Sequence, residues 1–172
     1  GHNVVRAYPM ENDGAGYKGS ITNLVEGQND QWFRPGDVTA APEGSLIIAD
    51  WYDPGVGGHQ VIDLDRGRIY RVSKNETSYN IPSLDLKTPE GAVKALLNPN
   101  TDIRYQGWVV LSEFAENAEA ELLKLWKSDN PRHRAQAFWL LVRLKDKGDQ
   151  YLKEAVNDKN PDIRITAIRA AR

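Results

Sequence analysis

Cysteine is absent from the 172 residues. That excludes disulfides, thiolate metal sites, a cysteine nucleophile and haem attachment through Cys-x-x-Cys-His within the chain, and it leaves the redox compartment open. An excess of charge is missing too: 22 Lys and Arg stand against 24 Asp and Glu. No field of one sign therefore points to nucleic acid or to an anionic membrane surface. No apolar run reaches the roughly 18 residues that a membrane span needs. Nucleotide signatures are lacking as well. Gly55-Val56-Gly57-Gly58 is not followed by Lys-Ser or Lys-Thr, and no Gly-x-Gly-x-x-Gly opens a helix after a strand. Asp13-Gly14-Ala15-Gly16 is too short for an EF-hand calcium loop. Asn75-Glu76-Thr77 is a formal glycosylation sequon, which matters only in a eukaryotic secretory setting.

What is present divides into two halves. Up to about residue 80 the chain is rich in Gly, Pro, Asp and aromatic residues; beyond Thr88 it turns to Ala, Leu, Lys and Glu. Residues 33–72 read as one blade-like unit of a β-propeller. Strands are expected over 37–41 and 45–51 around the turn Pro42-Glu43-Gly44, with a third over 68–72 after a glycine-rich excursion. A hairpin is expected from strands over 3–9 and 17–25, turning at 11–16. Rings of this kind need roughly four to eight blades to hide their edges. The β part is therefore expected to be incomplete, with most of the protein's chemistry supplied by missing blades of the same polypeptide. Val38, Leu46, Ile47 and Ile48 would need cover, expected from the first helix pair or a second copy.

The second half repeats. Asn100-Thr101-Asp102-Ile103-Arg104, Asn130-Pro131-Arg132-His133-Arg134 and Asn160-Pro161-Asp162-Ile163-Arg164 recur every thirty residues, with Gly107, Ala137 and Ala167 following in register. Each Asn suits an N-cap, and Pro131 and Pro161 suit a first helical position, where no N–H is needed. Shorter amphipathic helices over 89–97, 118–127 and 150–157 precede them, giving three antiparallel pairs and an α-solenoid in which each pair packs on its neighbours. Leu122, Leu123, Leu125, Trp126, Phe138, Leu140, Leu141 and Leu144 are core candidates. The last copy stops at Arg172, so an open apolar end face is expected there. His133 holds the slot of Ile103 and Ile163 and is expected to pack half-buried, while His2 beside Gly1 reads as a terminal remnant. Arg104, Arg134 and Arg164 suggest a structural ladder to Asp102, Asp162 or helix carbonyls, with a basic ligand groove as the alternative. The fold class is thus α+β: an incomplete propeller over 1–75, a linker over 76–88, and a solenoid over 89–172.

The pattern Ile-Arg-x-x-Gly, His-Arg-x-x-Ala, Ile-Arg-x-x-Ala resembles the HEAT-like repeat family over about 89–172. In the first half, Phe33-Arg34-Pro35, Asp50-Trp51-Tyr52 and Gly67-Arg68-Ile69-Tyr70-Arg71 resemble the closing propeller segment of a membrane-bound dehydrogenase family. That family's propeller is similar to those of soluble glucose and sorbosone dehydrogenases, and it commonly continues into HEAT-like repeats and a cytochrome domain. The resemblance implies a secreted or periplasmic protein that oxidises sugars or alcohols with pyrroloquinoline quinone and calcium, the cytochrome lying downstream or being absent. Residues 1–5 show no charged stretch leading into an apolar run, so the compartment rests on the resemblance alone.

Candidate site residues in the chain itself are Arg34, Asp37, Asp50, Asp53, His59 and Arg68. On a functional reading, His59 is a general base or orienting donor, Asp50 or Asp53 binds a cation, and Arg34 or Arg68 holds a cofactor carboxylate by a bidentate fork. On a structural reading, Asp50 caps a turn, Asp37 pairs with Arg68, and Gly55, Gly57 and Gly58 supply backbone angles. Trp32, Phe33, Trp51 and Tyr52 suit packing between blades or stacking on a sugar ring. Two functions follow: a propeller-to-solenoid junction of a quinoprotein-like dehydrogenase with few catalytic residues of its own, or a non-catalytic scaffold for carbohydrate or protein partners.

Overall fold

The computed structural model describes residues 3–13, 16–53, 65–76 and 78–172. They form two compact units, Gly1–Asn80 and Ile81–Arg172.

In the first unit, β1 (Val4–Ala7) pairs antiparallel with β4 (Thr22–Glu26), and β2 (Met10–Asp13) pairs with β3 (Gly16–Gly19). The two pairs form one hairpin interrupted at Pro9, which has no N–H to continue the ladder. The Pro9 carbonyl instead accepts the Ser20 N–H at 3.1 Å. The expected turn over 11–16 is thus largely strand, with Asp13 opposite Gly16. Every residue of β2 and β3 is exposed, so no apolar alternation marked them.

β5 (Pro35–Ala40), β6 (Leu46–Asp50) and β7 (Arg68–Val72) form an antiparallel sheet with β6 in the centre. The expected turn is present: the Gly44 N–H donates to the Ala41 carbonyl at 2.8 Å. Gly44 has φ +94°, an angle that glycine adopts without steric cost. The period of two along β6 sends Leu46, Ile48 and Asp50 to one face. There Ile48, fully buried, meets Val5 and Phe33, with Val25, Leu46, Tyr70 and Val72 around them. Phe33 and Tyr70 meet edge to face at 5.9 Å. Of the four residues expected to need cover, Ile48 is buried, Leu46 and Ile47 are half-buried, and Val38 on β5 is exposed. The cover over Ile48 comes from within the β unit. The described residues form these small open sheets, not a closed barrel or ring.

The second unit is all helical: α1 (Pro89–Leu96), α2 (Thr101–Phe114), a 3-10 turn (Ala115–Ala118), α3 (Glu119–Trp126), α4 (Pro131–Leu141), α5 (Gly148–Val156) and α6 (Pro161–Ala170). Helices α1 and α2, α3 and α4, and α5 and α6 pack as successive pairs. The three asparagines cap as expected, their side chains accepting the N–H of Asp102, Arg132 and Asp162 at 2.8 to 2.9 Å. Two residues upstream, Asn98, Ser128 and Asp158 each accept the N–H of that asparagine, so every tight turn is braced twice. Gly107, Ala137 and Ala167 are all buried. The core runs through Leu96, Leu111, Leu122, Phe138, Leu141 and Ile163. His133 is half-buried. On α6, Ile165 and Ile168 are 50% and 66% exposed.

The arginine ladder is real, and of the expected acceptors it uses carbonyls, at the end of the preceding helix and in the turn that follows it. Arg104 donates to the carbonyls of Asn98 and Pro99, and Arg164 to those of Asp158 and Lys159. Arg134 donates to the Trp126 carbonyl at 3.0 Å and reaches the next turn to pair with the Asp158 carboxylate. Asp102 and Asp162, the other acceptors expected from sequence, instead occupy the first turns of α2 and α6, where a negative charge suits the helix dipole.

Candidate functional site

Three of the predicted site residues converge at the end of β6. Strand alternation turns Asp50 inward, and its side chain is wholly buried. A buried carboxylate needs donors on all its lone pairs. Oδ1 accepts the backbone N–H of Arg34 at 2.7 Å and of Tyr52 at 3.0 Å. Oδ2 accepts from Arg68, Nε at 3.2 Å and the outer guanidinium nitrogen at 3.0 Å. Arg68 also reaches Asp30, at 3.3 Å, across 38 positions of sequence. Burial disfavours the charged guanidinium, but its hydrogen bonds to Asp30 and Asp50 outweigh this and hold the Arg68 pKa above its ordinary value.

Aromatic rings complete the centre. The Arg68 guanidinium lies 3.7 Å from the centroid of Tyr52 and 5.3 Å from that of Tyr70. Tyr52 packs edge-on against Trp32 at 5.6 Å. Tyr52 sits at φ +48°, a left-handed angle unfavourable for a bulky side chain. Its N–H bond to Asp50 and its stacking under Arg68 hold it there.

The other members of the set are placed differently. Arg34 serves Asp50 through its backbone, while its guanidinium turns to the Phe33 carbonyl at 3.2 Å. Asp37 accepts the N–H of its neighbour Val38 at 2.8 Å and does not meet Arg68. Asp53 follows Tyr52, half-buried. His59 and its flanking glycines lie outside the described residues. Trp51 is 72% exposed, whereas Phe33 belongs to the core. Asp30 was not legible from sequence, because nothing in Asn29-Asp30-Gln31 marks a partner so far along the chain.

The arrangement bears on cofactors. Calcium requires several oxygen ligands with free lone pairs, and Asp50 already accepts three N–H donors and pairs with the Arg68 charge. Among the described residues no group of three or more His, Asp or Glu side chains could hold a metal. The Arg68 guanidinium is engaged by the carboxylates of Asp30 and Asp50, whereas Arg34 gives one of its five N–H groups to the Phe33 carbonyl. Asp50 and Arg68, committed to each other, do not fit either group.

The β unit has a recess of about 280 Å3 at Glu43, Arg71 and Tyr79, and the helical unit has several. A cleft of about 590 Å3 lies between the α3–α4 turn and the third pair, bordered by Trp126, Arg134, Tyr151, Glu154 and Lys159. Its polar groups largely serve each other. The Arg134 guanidinium pairs with Asp158 and lies 4.7 Å from the Trp126 ring centroid, and its hydrogen bonding holds Asp158 below the usual carboxylate range. Nearby, Glu119 accepts from Lys147 and from the Tyr151 hydroxyl. Those bonds lower the Glu119 pKa, and burial followed by the bond to Glu119 pushes Tyr151 up to about 12. A second groove, of about 260 Å3 and lined by Tyr105, Trp108 and Trp139, opens along α2 and α4.

Comparison with known families divides the chain at the same place as its composition. Residues 1–76 match a domain of unknown function (DUF7133). No curated protein matches the chain. No described helix is long and apolar enough to cross a membrane. Residues 89–172 match the HEAT repeats family, and their three stacked helix pairs have the solenoid form of that family.

Proposed function

We propose that these 172 residues act as a non-catalytic binding scaffold within a longer, periplasmic or secreted protein of the dehydrogenase-like type, the β unit contributing one blade-like element of a propeller. The observation that carries this reading is the closure of the Asp50 centre. Its one buried carboxylate is saturated by Arg68 and by two backbone N–H groups. A general base or cation ligand must keep a lone pair for its substrate, and a saturated carboxylate serves instead to lock a strand end. The helical unit presents open recesses along its stacked pairs, the kind of extended surface that repeat proteins use for partners.

A second reading assigns the longer protein an oxidoreductase activity on sugars or alcohols, with pyrroloquinoline quinone and calcium held by blades beyond this segment. The Phe33-Arg34-Pro35, Asp50-Trp51-Tyr52 and Gly67-Arg68-Ile69-Tyr70-Arg71 blocks favour it. Both readings are tested by assaying the chain and the longer protein with quinone, calcium, an artificial electron acceptor and a panel of sugars and alcohols. The chain alone is expected to reduce no acceptor. Reduction by the chain alone, lost in His59→Ala or Arg34→Ala, would overturn the scaffold reading. No reduction by the longer protein under any condition would count against the second. Saturable glycan binding that is lost in Trp51→Ala would place a carbohydrate contact on the exposed β6 end.

A further inference from the structure

We propose that the aromatic groove between α2 and α4 is a docking site for an extended acidic segment of a partner protein; the inference rests on the scaffold reading above. Tyr105 and Trp108 lie one turn apart on α2 and stack with an interplanar angle of 12° and centroids 6.3 Å apart. Trp108 covers one face of Tyr105, which is nevertheless 66% exposed, so its other face stands open. Trp139 of α4, 37% exposed, forms the opposite wall, with Gln136 and Leu96 at the floor. Two large rings held in fixed orientation lose little freedom on binding and give flat contact to prolyl or aliphatic side chains.

Charge complementarity selects the occupant. Arg104 lines the groove, and the Arg143 guanidinium lies 5.0 Å from the Trp108 ring centroid. Arg104 donates only to neutral carbonyls, and neither arginine has a carboxylate partner among the described residues. Arg68, Arg71 and Arg134, by contrast, are each paired with a carboxylate. Helix α4 carries Arg132 and no acidic residue. Arg104 spends Nε and one terminal nitrogen on two carbonyls but keeps its charge, Arg143 has no carboxylate among the described residues to take its N–H groups, and together they favour an acidic segment and repel a basic one.

The test uses the whole chain and fluorescence anisotropy of a fluorescein-labelled alternating Glu-Pro peptide, with Ser-Pro and Lys-Pro peptides of equal length and a sulfated oligosaccharide as competitors. The Glu-Pro peptide is expected to bind saturably, to weaken as salt rises, and to lose about tenfold in affinity in Tyr105→Ala and in Trp139→Ala. Arg143→Gln, at an exposed position that leaves the core untouched, is expected to weaken it by about fivefold and carries the test should an aromatic variant unfold. Equal binding of the Ser-Pro peptide, unchanged affinity in the variants, or competition by the sulfated oligosaccharide alone would each overturn the proposal. Those results concern this groove only, whereas the scaffold reading falls on turnover by the chain itself.

Discussion

Replacing Gly107 by alanine tests the closest approach in the helical unit. A Cβ placed on Gly107 would lie 2.5 Å from the Leu96 nitrogen, 2.8 Å from the Ala92 carbonyl oxygen and 2.9 Å from the Ala95 carbonyl carbon. All three are backbone atoms of α1, so no side chain can swing aside and the helix itself must shift. Two terms oppose each other. Alanine in mid-helix gains about 1 kcal/mol over glycine, while forcing a methyl into a packed contact costs about 1–3 kcal/mol and more where backbone must move. With backbone on every side the second term prevails, for a net loss of about 2 kcal/mol. In a unit of this size that lowers the melting temperature by roughly 8–16 °C. Ala137 and Ala167, at the same register and fully buried, already accommodate a methyl, so the effect is specific to the first pair. The assay is thermal and urea unfolding followed by far-UV circular dichroism, with Gly107→Ser as a second variant expected to cost at least as much. An unchanged or raised transition in Gly107→Ala would refute the packing argument.

Three further outcomes are expected. Asp50→Asn keeps the shape but points an N–H2 at donors, and should destabilise the β unit by about 2 kcal/mol, more than Arg68→Gln does; near-ultraviolet dichroism of the Tyr52 and Trp32 region during urea unfolding reports it. Asn160→Ala removes the cap of α6 and should cost about 1 kcal/mol, read as a lower urea midpoint at unchanged slope. Tyr151 is held protonated more tightly in the folded protein than in the unfolded chain. Its contribution is therefore complete below the unfolded phenol pKa of about 10 and fades as pH rises toward its folded value of about 12; Tyr151→Phe should flatten that alkaline decline in melting temperature, and an unaltered slope would contradict it.

The helical unit was legible because its signals are local and repeated. Asn100, Asn130 and Asn160 cap as their chemistry dictates, and Pro131 and Pro161 start helices where an N–H is dispensable. What the repeat could not show is which acceptor each long arginine side chain reaches: the turn carbonyls lie close in space but carry no residue-type signature. In the β unit, the turn at Pro42-Glu43-Gly44 and the three strands around β6 were readable from turn chemistry and alternation. The exposed β2 and β3 were not, since strands without a buried face have no pattern to read. For the Asp50 centre, sequence gathered Arg34, Asp50 and Arg68 and offered the turn cap that Asp50 makes to Tyr52, but not the pairing of Asp50 with Arg68. Whether a carboxylate faces a ligand or two backbone amides depends on angles at Tyr52 that residue identity does not encode. The groove at Tyr105, Trp108 and Trp139 went unmarked because its members sit on two helices about thirty positions apart.

The bond from Arg134 to Asp158 spans consecutive turns, and its equivalent one repeat earlier is missing, because position 128 holds serine where position 158 holds aspartate. Mechanically the array is then a spring of unequal stiffness. The second and third pairs are tied by this ion pair and by Glu119 with Lys147 and Tyr151, whereas the first joint carries the Gln136 bond to the Leu96 carbonyl at 3.4 Å and Arg143 over Trp108, with no ion pair among the described residues.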